Sequence, residues 1–521
     1  MSYRIGIDVG GTNTDAVVLD AERRVLASIK TPTQAQSGDG VARAIDLVLE
    51  ASGIPETEVS AAMLGTTHCT NAIVERRGLG RVGVLRLGGP ATTAVPPFEG
   101  WPVDLREAVA GPAFVIDGGN EFDGREISAL DEAAIRTAAA SMRGVVDAIA
   151  IVGVFAPVAD AHELRAEAIV RKILDVPISR SVEIGSIGLL ERENATILNA
   201  ALIRTLGDMA DGFARSLTAH GIEADIYFGQ NDGTLMRLDF ALRYPVFTIG
   251  CGPTNSIRGA AHLSGVADAL VVDIGGTTTD IGVLVDGFPR QSSHAAEIGG
   301  IRTNFRMPDV LSVGLGGGTI VRGGDADSSA GSNTAAIVLG PDSVGYRITT
   351  EALAFGGSTL TATDVAMAIG RLDIEGTSAP EIAPGQLAAA DAAIRSFLEE
   401  AIDQMKPSAA PVPVVLVGGG AAVSPAALDG VSDVIRPEHS SAANAVGAAL
   451  GDVAGQAEQV FSLRETTRQQ AVDTVRSDAI ARAVEAGAEP ATVEVIALEE
   501  LPVAYMDDTV IVKARAAGRL A

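Results

Sequence analysis

The chain has 521 residues, too many for one small binding module and enough for two large domains with a smaller piece attached. Hydrophobic residues make up 47% and aromatic residues only 4%, so the core is aliphatic and the composition excludes both disorder and a collagen-like fibre. Lys and Arg total 39 against 66 Asp and Glu, and the net charge of −27 argues against nucleic acid and membrane surfaces as partners.

The opening residues run directly into an alternating strand pattern, without a basic stretch or a long apolar leader. Cys69 and Cys251, the two cysteines, are too few for a disulfide framework. The expectation is a cytoplasmic protein whose mature chain begins at Met1. The longest uncharged stretch, residues 408–428, is interrupted by Pro411, Pro413, Pro425 and three glycines, so it reads as a buried strand and turn rather than a membrane helix.

In chain order, residues 4–7 and 16–19 read as strands around a glycine turn, and residues 24–30 as a third strand. Val41, Ala44, Ile45, Val48 and Leu49 form a helical stripe that Gly53 ends. Apolar strands at 61–64 and 82–87 flank a helix at 70–77, and residues 148–155 form another buried strand. This alternation predicts an α/β sheet with helical crossovers. A second strand, turn, strand unit spans 269–272 and 281–285. Loops are expected at 323–333 and 375–385, where Gly, Ser, Asp and Pro concentrate. Leu387, Ile394, Leu398, Ile402 and Met405 share one helical face between Pro384 and Pro407. A strand at 412–417 then runs into Gly418, Gly419 and Gly420, and a small-residue helix covers 441–450. Residues 456–521 read as a helix and strands at 493–498 and 509–513, with no counterpart earlier in the chain.

The two glycine turns are copies. Asp-Val-Gly-Gly-Thr-Asn-Thr-Asp at 8–15 and Asp-Ile-Gly-Gly-Thr-Thr-Thr-Asp at 273–280 agree at six of eight positions. A Gly-Gly-Thr turn lets backbone N–H groups approach a polyphosphate closely. One such turn alone would be an ordinary hairpin; two in one chain point to paired phosphate cradles that close on one nucleotide. The candidate phosphate-binding residues are Gly10, Gly11, Thr12 and Asn13 in the first copy and Gly275, Gly276, Thr277 and Thr278 in the second. Asp8 and Asp273 end their strands where a carboxylate can hold Mg²⁺ directly or through water. Asp15 and Asp280 either join that chemistry or rigidify their hairpins. The Gly418–Gly420 turn is the candidate adenosine site.

The spacing of these three elements resembles the actin-like ATPases that include sugar kinases and Hsp70 chaperones. Further motifs narrow the resemblance: Gly65-Thr66-Thr67-His68-Cys69-Thr70-Asn71-Ala72 with Glu75-Arg76, Glu193-Asn194-Ala195, Gln230-Asn231-Asp232-Gly233, Gly252-Pro253, residues 312–318, residues 340–343, and Thr363-Asp364. Over roughly residues 3–450 the chain is similar to the hydantoinase A/oxoprolinase family. The resemblance implies two duplicated RNase H-like α/β domains, 1–245 (with an insertion) and 246–455, followed by a small α/β accessory segment, 456–521. It implies ATP and Mg²⁺ as cofactors, a cyclic amide or ketone as substrate, a hydantoinase B-like second subunit, and a homo- or hetero-oligomer. The activity expected is ATP-dependent opening of a hydantoin, 5-oxoproline or related lactam. A carboxylase subunit of the acetone or acetophenone type, a small-molecule kinase and a non-catalytic nucleotide-binding scaffold are the alternatives.

Thr66, Thr67, Asn71 and Asn231 are candidate substrate residues, being polar groups at strand or helix ends. Glu193 is a candidate general base, against the reading of a solvated helix glutamate. His68 reads as structural, and neither cysteine has zinc-ligand spacing. Against the family pattern, the chain is short between Arg371 and Val412, and Gly252-Pro253-Thr254-Asn255-Ser256 stands where Gly-Pro-Ala-Gly-Gly is usual.

Overall fold

The structure is a computed structural model that describes residues 2–10, 13–32, 37–292, 296–304, 307–324, 336–464, 466–503 and 508–521. Gly11 and Thr12 of the first hairpin, and most of the loop expected at 323–333, lie outside the described residues.

The first lobe is built on a row of pairings that sets its chemistry. Strands Tyr3–Val9 and Asn13–Leu19 are antiparallel with Asp8 opposite Asp15. Val25–Pro32 adds outside the second strand and puts Lys30 opposite Asp15. Val59–Thr66 pairs in parallel on the other side and puts Gly65 opposite Asp8. Side chains directly across a ladder share a face, so Gly65, Asp8, Asp15 and Lys30 form one transverse line. Ile5, Ile7, Val17 and Leu19 are fully buried, as an aliphatic sheet covered by helices requires.

The second lobe repeats the device. Ala269–Ile274 and Thr279–Val285 are antiparallel with Asp273 opposite Asp280. Val412–Val417 lies parallel alongside, with Val417 opposite Asp273, and Val310–Val313 on the far side puts Ser312 opposite Asp280. The near-continuous apolar run of Val412–Val417 marks an inner parallel strand buried on both faces. The amphipathic helix expected between Pro384 and Pro407 is Pro384–Met405, whose Ile394, Leu398 and Ile402 pack into this lobe's core.

Between the two units of the first lobe, residues 82–180 form a separate four-stranded parallel sheet, in the order Ala110–Asp117, Val82–Gly89, Ala148–Gly153, Ile178–Arg180. It has its own apolar core, which includes Leu85, Ile149 and Ile151. The long helix Leu189–Ala219 then returns the chain, burying Ala195, Ile197, Leu198 and Leu202.

The accessory segment 456–521 extends the first lobe's sheet. The strand Val453–Ser462 begins just before that boundary and pairs in parallel with Leu235–Arg237 of the first lobe. Thr509–Gly518 and Glu494–Pro502 follow, giving one nine-stranded sheet. An edge strand with unpaired N–H and C=O groups accepts such an extension.

The lobes meet through two helices stripped to small residues, Cys251–Ser264 and Ala443–Leu450. A Cβ on Gly259 would sit 2.0 Å from the Ala443 carbonyl oxygen, and one on Gly447 would sit 1.8 Å from that of Asn255. Gly6 meets the same helix, where a Cβ would come 2.4 Å from the Ala445 carbonyl oxygen. Backbone-to-backbone contact of this kind carries residue 444 to the hairpin of the opposite lobe.

Candidate active site

Both hairpins close by the same bond: the Gly10 amide donates to the Asn13 carbonyl at 3.0 Å, and the Gly275 amide to the Thr278 carbonyl at 2.9 Å. In the second, the carbonyls of Gly275 and Gly276 accept from the Gly317 and Gly318 amides, and that of Ile274 accepts from the Gly420 amide. This bracing loop packs without room for side chains, since a Cβ on Gly316 would lie 2.5 Å from the Thr277 nitrogen. Thr277 and Thr278 are exposed at the tip.

Two side chains join the hairpins. Asn444 donates from Nδ2 to Asp8 at 3.4 Å and lies near enough to Asp273 to favour its ionised form. The Lys30 ammonium lies 2.5 Å from Asp15, and its charge acts on Asp8 and Asp273 as well. Gly418, at φ +90, leaves no space for a side chain beside Asp273, and Gly419 lies against the Lys30 methylenes. The candidate adenosine turn therefore adjoins Asp273 and the first-lobe lysine.

Burial dominates the electrostatics of the four carboxylates. It pushes Asp8 up to about 7, assisted by the charge of Asp15. Asp15 is raised by burial against the pull of Lys30. Asp273 is raised by burial against a hydrogen bond from Ser256. Asp280 is pushed up to about 6 by burial, opposed by a hydrogen bond from Ser312.

The residues fit a divalent cation in the manner expected for Mg²⁺. Asp8 is 5% exposed and its Oδ1 is buried with no hydrogen-bond donor. Gly65 keeps space beside that oxygen, since a Cβ there would come within 2.7 Å of it. Among the described residues no three His, Cys, Asp or Glu side chains converge as a ligand set. A small cation here would take one or two carboxylates and complete its shell with water and phosphate oxygens, which is how Mg²⁺ is bound at phosphoryl-transfer sites.

The remaining expected residues separate. Glu193 is a correction: it is 1% exposed and receives Arg86 Nε at 2.7 Å and Nη2 at 2.6 Å in a buried bidentate pair. With both oxygens taken up by a buried guanidinium, it serves the fold rather than presenting a free carboxylate. Thr66 is also turned away from any cleft. Its buried Oγ accepts from the His68 amide at 3.0 Å and faces Met209 sulfur at 3.4 Å. Thr67 lies against Gly252 at the start of Cys251–Ser264 and receives Asn71 Nδ2 at 3.3 Å, with Asn71 exposed. Asn231 lies on the other side of that helix, its carbonyl accepting from Thr254 Oγ at 3.0 Å. Burial pushes the Cys69 thiol up to about 11 and Cys251 up to about 12, so neither is a nucleophile.

Lys30, Asn255, Ser256, Ser312 and Asn444 were not anticipated. Ser256 and Asn255 sit where the chain departs from the usual Gly-Pro-Ala-Gly-Gly, and that substitution was the available signal.

Two lobes, each opening on an Asp-led glycine hairpin, define the duplicated α/β fold of the actin-like type. The chain matches the family models described as "Hydantoinase/oxoprolinase N-terminal region" over residues 4–174 and "Hydantoinase/oxoprolinase" over residues 192–376. It belongs to the hydantoinase/oxoprolinase family.

Among curated relatives, the caprolactamase subunit alpha of Pseudomonas jessenii is 29% identical over 76% of this chain and 58% of its own length. The acetophenone carboxylase gamma subunit of Aromatoleum aromaticum is 25% identical over 71% of this chain and 53% of its own. The chain thus spans little more than half the length of the curated relatives it matches. Among solved structures, the ATP-dependent caprolactamase of P. jessenii aligns with 99% of this chain and 88% of its own at TM-score 0.76 and 22% identity. A nucleotide-free acetone carboxylase chain aligns over the same shares at TM-score 0.68 and 18% identity. No helix among the described residues is long and apolar enough to cross a membrane.

Proposed function

We propose that the chain is the nucleotide-using subunit of an ATP-dependent enzyme that activates a cyclic amide for ring opening, working with a second subunit. The observation that carries this reading is Asn444, which bonds Asp8 and acts on Asp273, and so supports a site shared by both hairpins. An unstrained lactam resists water. Transfer of the γ-phosphoryl group to its carbonyl oxygen breaks the bond to ADP, forms a new P–O bond and makes addition to the carbon feasible.

In this reading Asp8 and Asp273 hold Mg²⁺, which would offset charge on the transferring phosphoryl group. Amides of Gly10, Gly11, Thr12 and Asn13 and of Gly275, Gly276, Thr277 and Thr278 receive the phosphates. Gly418–Gly420 lies against adenosine. Lys30 adds a cation to a cluster of four carboxylates. Residues 1–245 and 246–455 act as the two lobes that close on the nucleotide, with 456–521 attached to the first.

The caprolactamase relatives support the amide substrate; the acetophenone and acetone carboxylase relatives support a second reading, in which the activated carbonyl belongs to a ketone. The deciding experiment measures ADP release from the purified chain with lactams, hydantoins, 5-oxoproline and ketones, each with and without a candidate second subunit. Stimulation by a cyclic amide that Asp8→Asn abolishes is the expected result. Stimulation by ketones alone supports the carboxylase reading, a stable phosphorylated product from the chain alone supports a kinase, and nucleotide binding without turnover supports a scaffold.

A further inference from the structure

A cavity of about 510 Å³ lies where the C-terminal segment meets the first lobe, and no residue of either hairpin lines it. Its walls include the turn after the short helix Ser181–Ile184, the aromatic run from Phe240 to Phe247, the strands Val453–Ser462 and Thr509–Gly518, and the single residues Gln291, Asn304 and Arg482. Tyr244 links that run, with its ring 4.7 Å from Phe240 and 5.8 Å from Phe247, and gives the cavity an apolar wall.

Polar groups on the lining lack partners. Asn304 donates from Nδ2 to the Ser186 carbonyl at 2.9 Å, which identifies its other atom as an acceptor; that buried Oδ1 has no donor. Gln291 Oε1 is buried and equally without a donor. The C-terminal segment supplies the opposite chemistry. Arg515 Nη1 faces Asp232 at 3.8 Å, and its buried Nε–H has no acceptor among the described residues. Arg482 gives one hydrogen bond to the Gln456 carbonyl at 3.1 Å and has no carboxylate at ion-pair distance among the described residues. Buried polar groups are almost always satisfied, so a cavity with unpaired acceptors and donors calls for an occupant.

The other lining charges already balance one another. Arg243 pairs with Glu485, and Lys513 with Glu458 at 2.6 Å. Glu183 pairs with Arg180 and Arg515 with Asp232, and Arg482 is half-exposed to water, so an occupant carrying net charge would bring in an unbalanced ion, whereas one with no net charge would not.

We propose that this cavity binds a small molecule of no net charge with an N–H donor and an oxygen acceptor on a short apolar body. Cyclic amides and the ω-amino acids formed by opening them both belong to this class. The N–H groups meet Asn304 Oδ1 and Gln291 Oε1, the oxygen meets Arg515 and Arg482, and the methylenes lie on the aromatic wall. This ligand assignment rests on the cyclic-amide reading above. It also gives the C-terminal segment a task, since that segment supplies the donors. Asn231 lines the cavity and bonds Thr254, one residue before Asn255. The occupant is therefore behind the first turn of Cys251–Ser264, apart from the transferring phosphate, in a holding or regulatory site.

The test is calorimetry on the full chain without nucleotide, titrating ε-caprolactam, 6-aminohexanoate, hexanoate and hexylamine. Saturable binding of the lactam or the amino acid is expected, with both singly charged controls weaker by about tenfold or more. Arg482→Gln and Asn304→Ala should each weaken it about tenfold while melting like the wild type. If Asn304→Ala does not fold, Arg482→Gln alone carries the test, because that side chain is half-buried on a helix surface. Asp8→Asn should retain probe binding even as nucleotide turnover is lost, so failure of the nucleotide reading and failure of this one give different patterns. No binding of either neutral probe, controls that bind as tightly, or variants that bind like the wild type would overturn the proposal.

Discussion

The two hairpins share six of eight residues and the same closing bond, yet the rows of side chains that cross them differ at both ends. In the first lobe the row is Gly65, Asp8, Asp15, Lys30; in the second it is Val417, Asp273, Asp280, Ser312. A cation balances the first pair of carboxylates, and hydroxyls from Ser256 and Ser312 serve the second. Asp8 Oδ1, beside Gly65, is buried without a hydrogen-bond partner among the described residues, whereas Asp273 is held by the Ser256 hydroxyl. Duplicated sequence has thus produced two unequal sites. The first has the unpartnered carboxylate oxygen and the charge that can meet a phosphate; the second is the tied, braced half of the clasp, its aspartate a weaker ligand to a shared cation.

The largest expected effect falls outside both hairpins and calibrates the rest. Glu193→Gln leaves Arg86 buried without its counter-ion and should cost about 3–5 kcal/mol in thermal or denaturant unfolding. A variant that melts like the wild type but loses turnover selectively would restore Glu193 to the chemistry. Next, Asp8→Asn should lower substrate-stimulated ADP release by about 10²-fold or more, and Asp273→Asn by less, as steady-state rates at saturating Mg²⁺ will show. Equal losses would erase the inequality of the two hairpins.

Lys30→Gln should weaken nucleotide binding about tenfold, the scale of one charge-assisted hydrogen bond, while Ser256→Ala should change it only about threefold, both measured by calorimetry. A reversed order would mean that the second lobe carries the charge recognition.

The smallest effect is a slope. Asp8 ionises near 7 when folded and near the ordinary 3.8 when unfolded, so between these values the folded state holds the extra proton. Its contribution to stability therefore falls as pH rises from about 4 to about 7 and is flat above. Asp280 does the same only up to about 6. Melting temperatures against pH should lose slope up to neutrality in Asp8→Asn, but only below about pH 6 in Asp280→Asn.

The fold was legible because its signals are local. The glycine hairpins, the Pro-bounded helix Pro384–Met405 and the apolar run Val412–Val417 each declare themselves within a few residues. What the row ends carry was not legible, because register between separate strands decides which residue stands beside a carboxylate. Lys30 reads as the end of a third strand until that strand is paired. Glu193 looked chemical because its partner Arg86 lies 107 residues away. The C-terminal segment has no counterpart in the first half of the chain, so its attachment to the first lobe's edge emerged only from strand pairing. The polar cavity is assembled from many distant parts of the chain, and no single stretch announces it.

A structure of the chain with Mg²⁺ and a non-hydrolysable ATP analogue tests the central claim most directly. The triphosphate should lie between the hairpin amides, with the metal on Asp8 and the terminal phosphate within reach of Lys30. A nucleotide bound on one lobe alone, or seated away from Asp8 and Asp273, would contradict it.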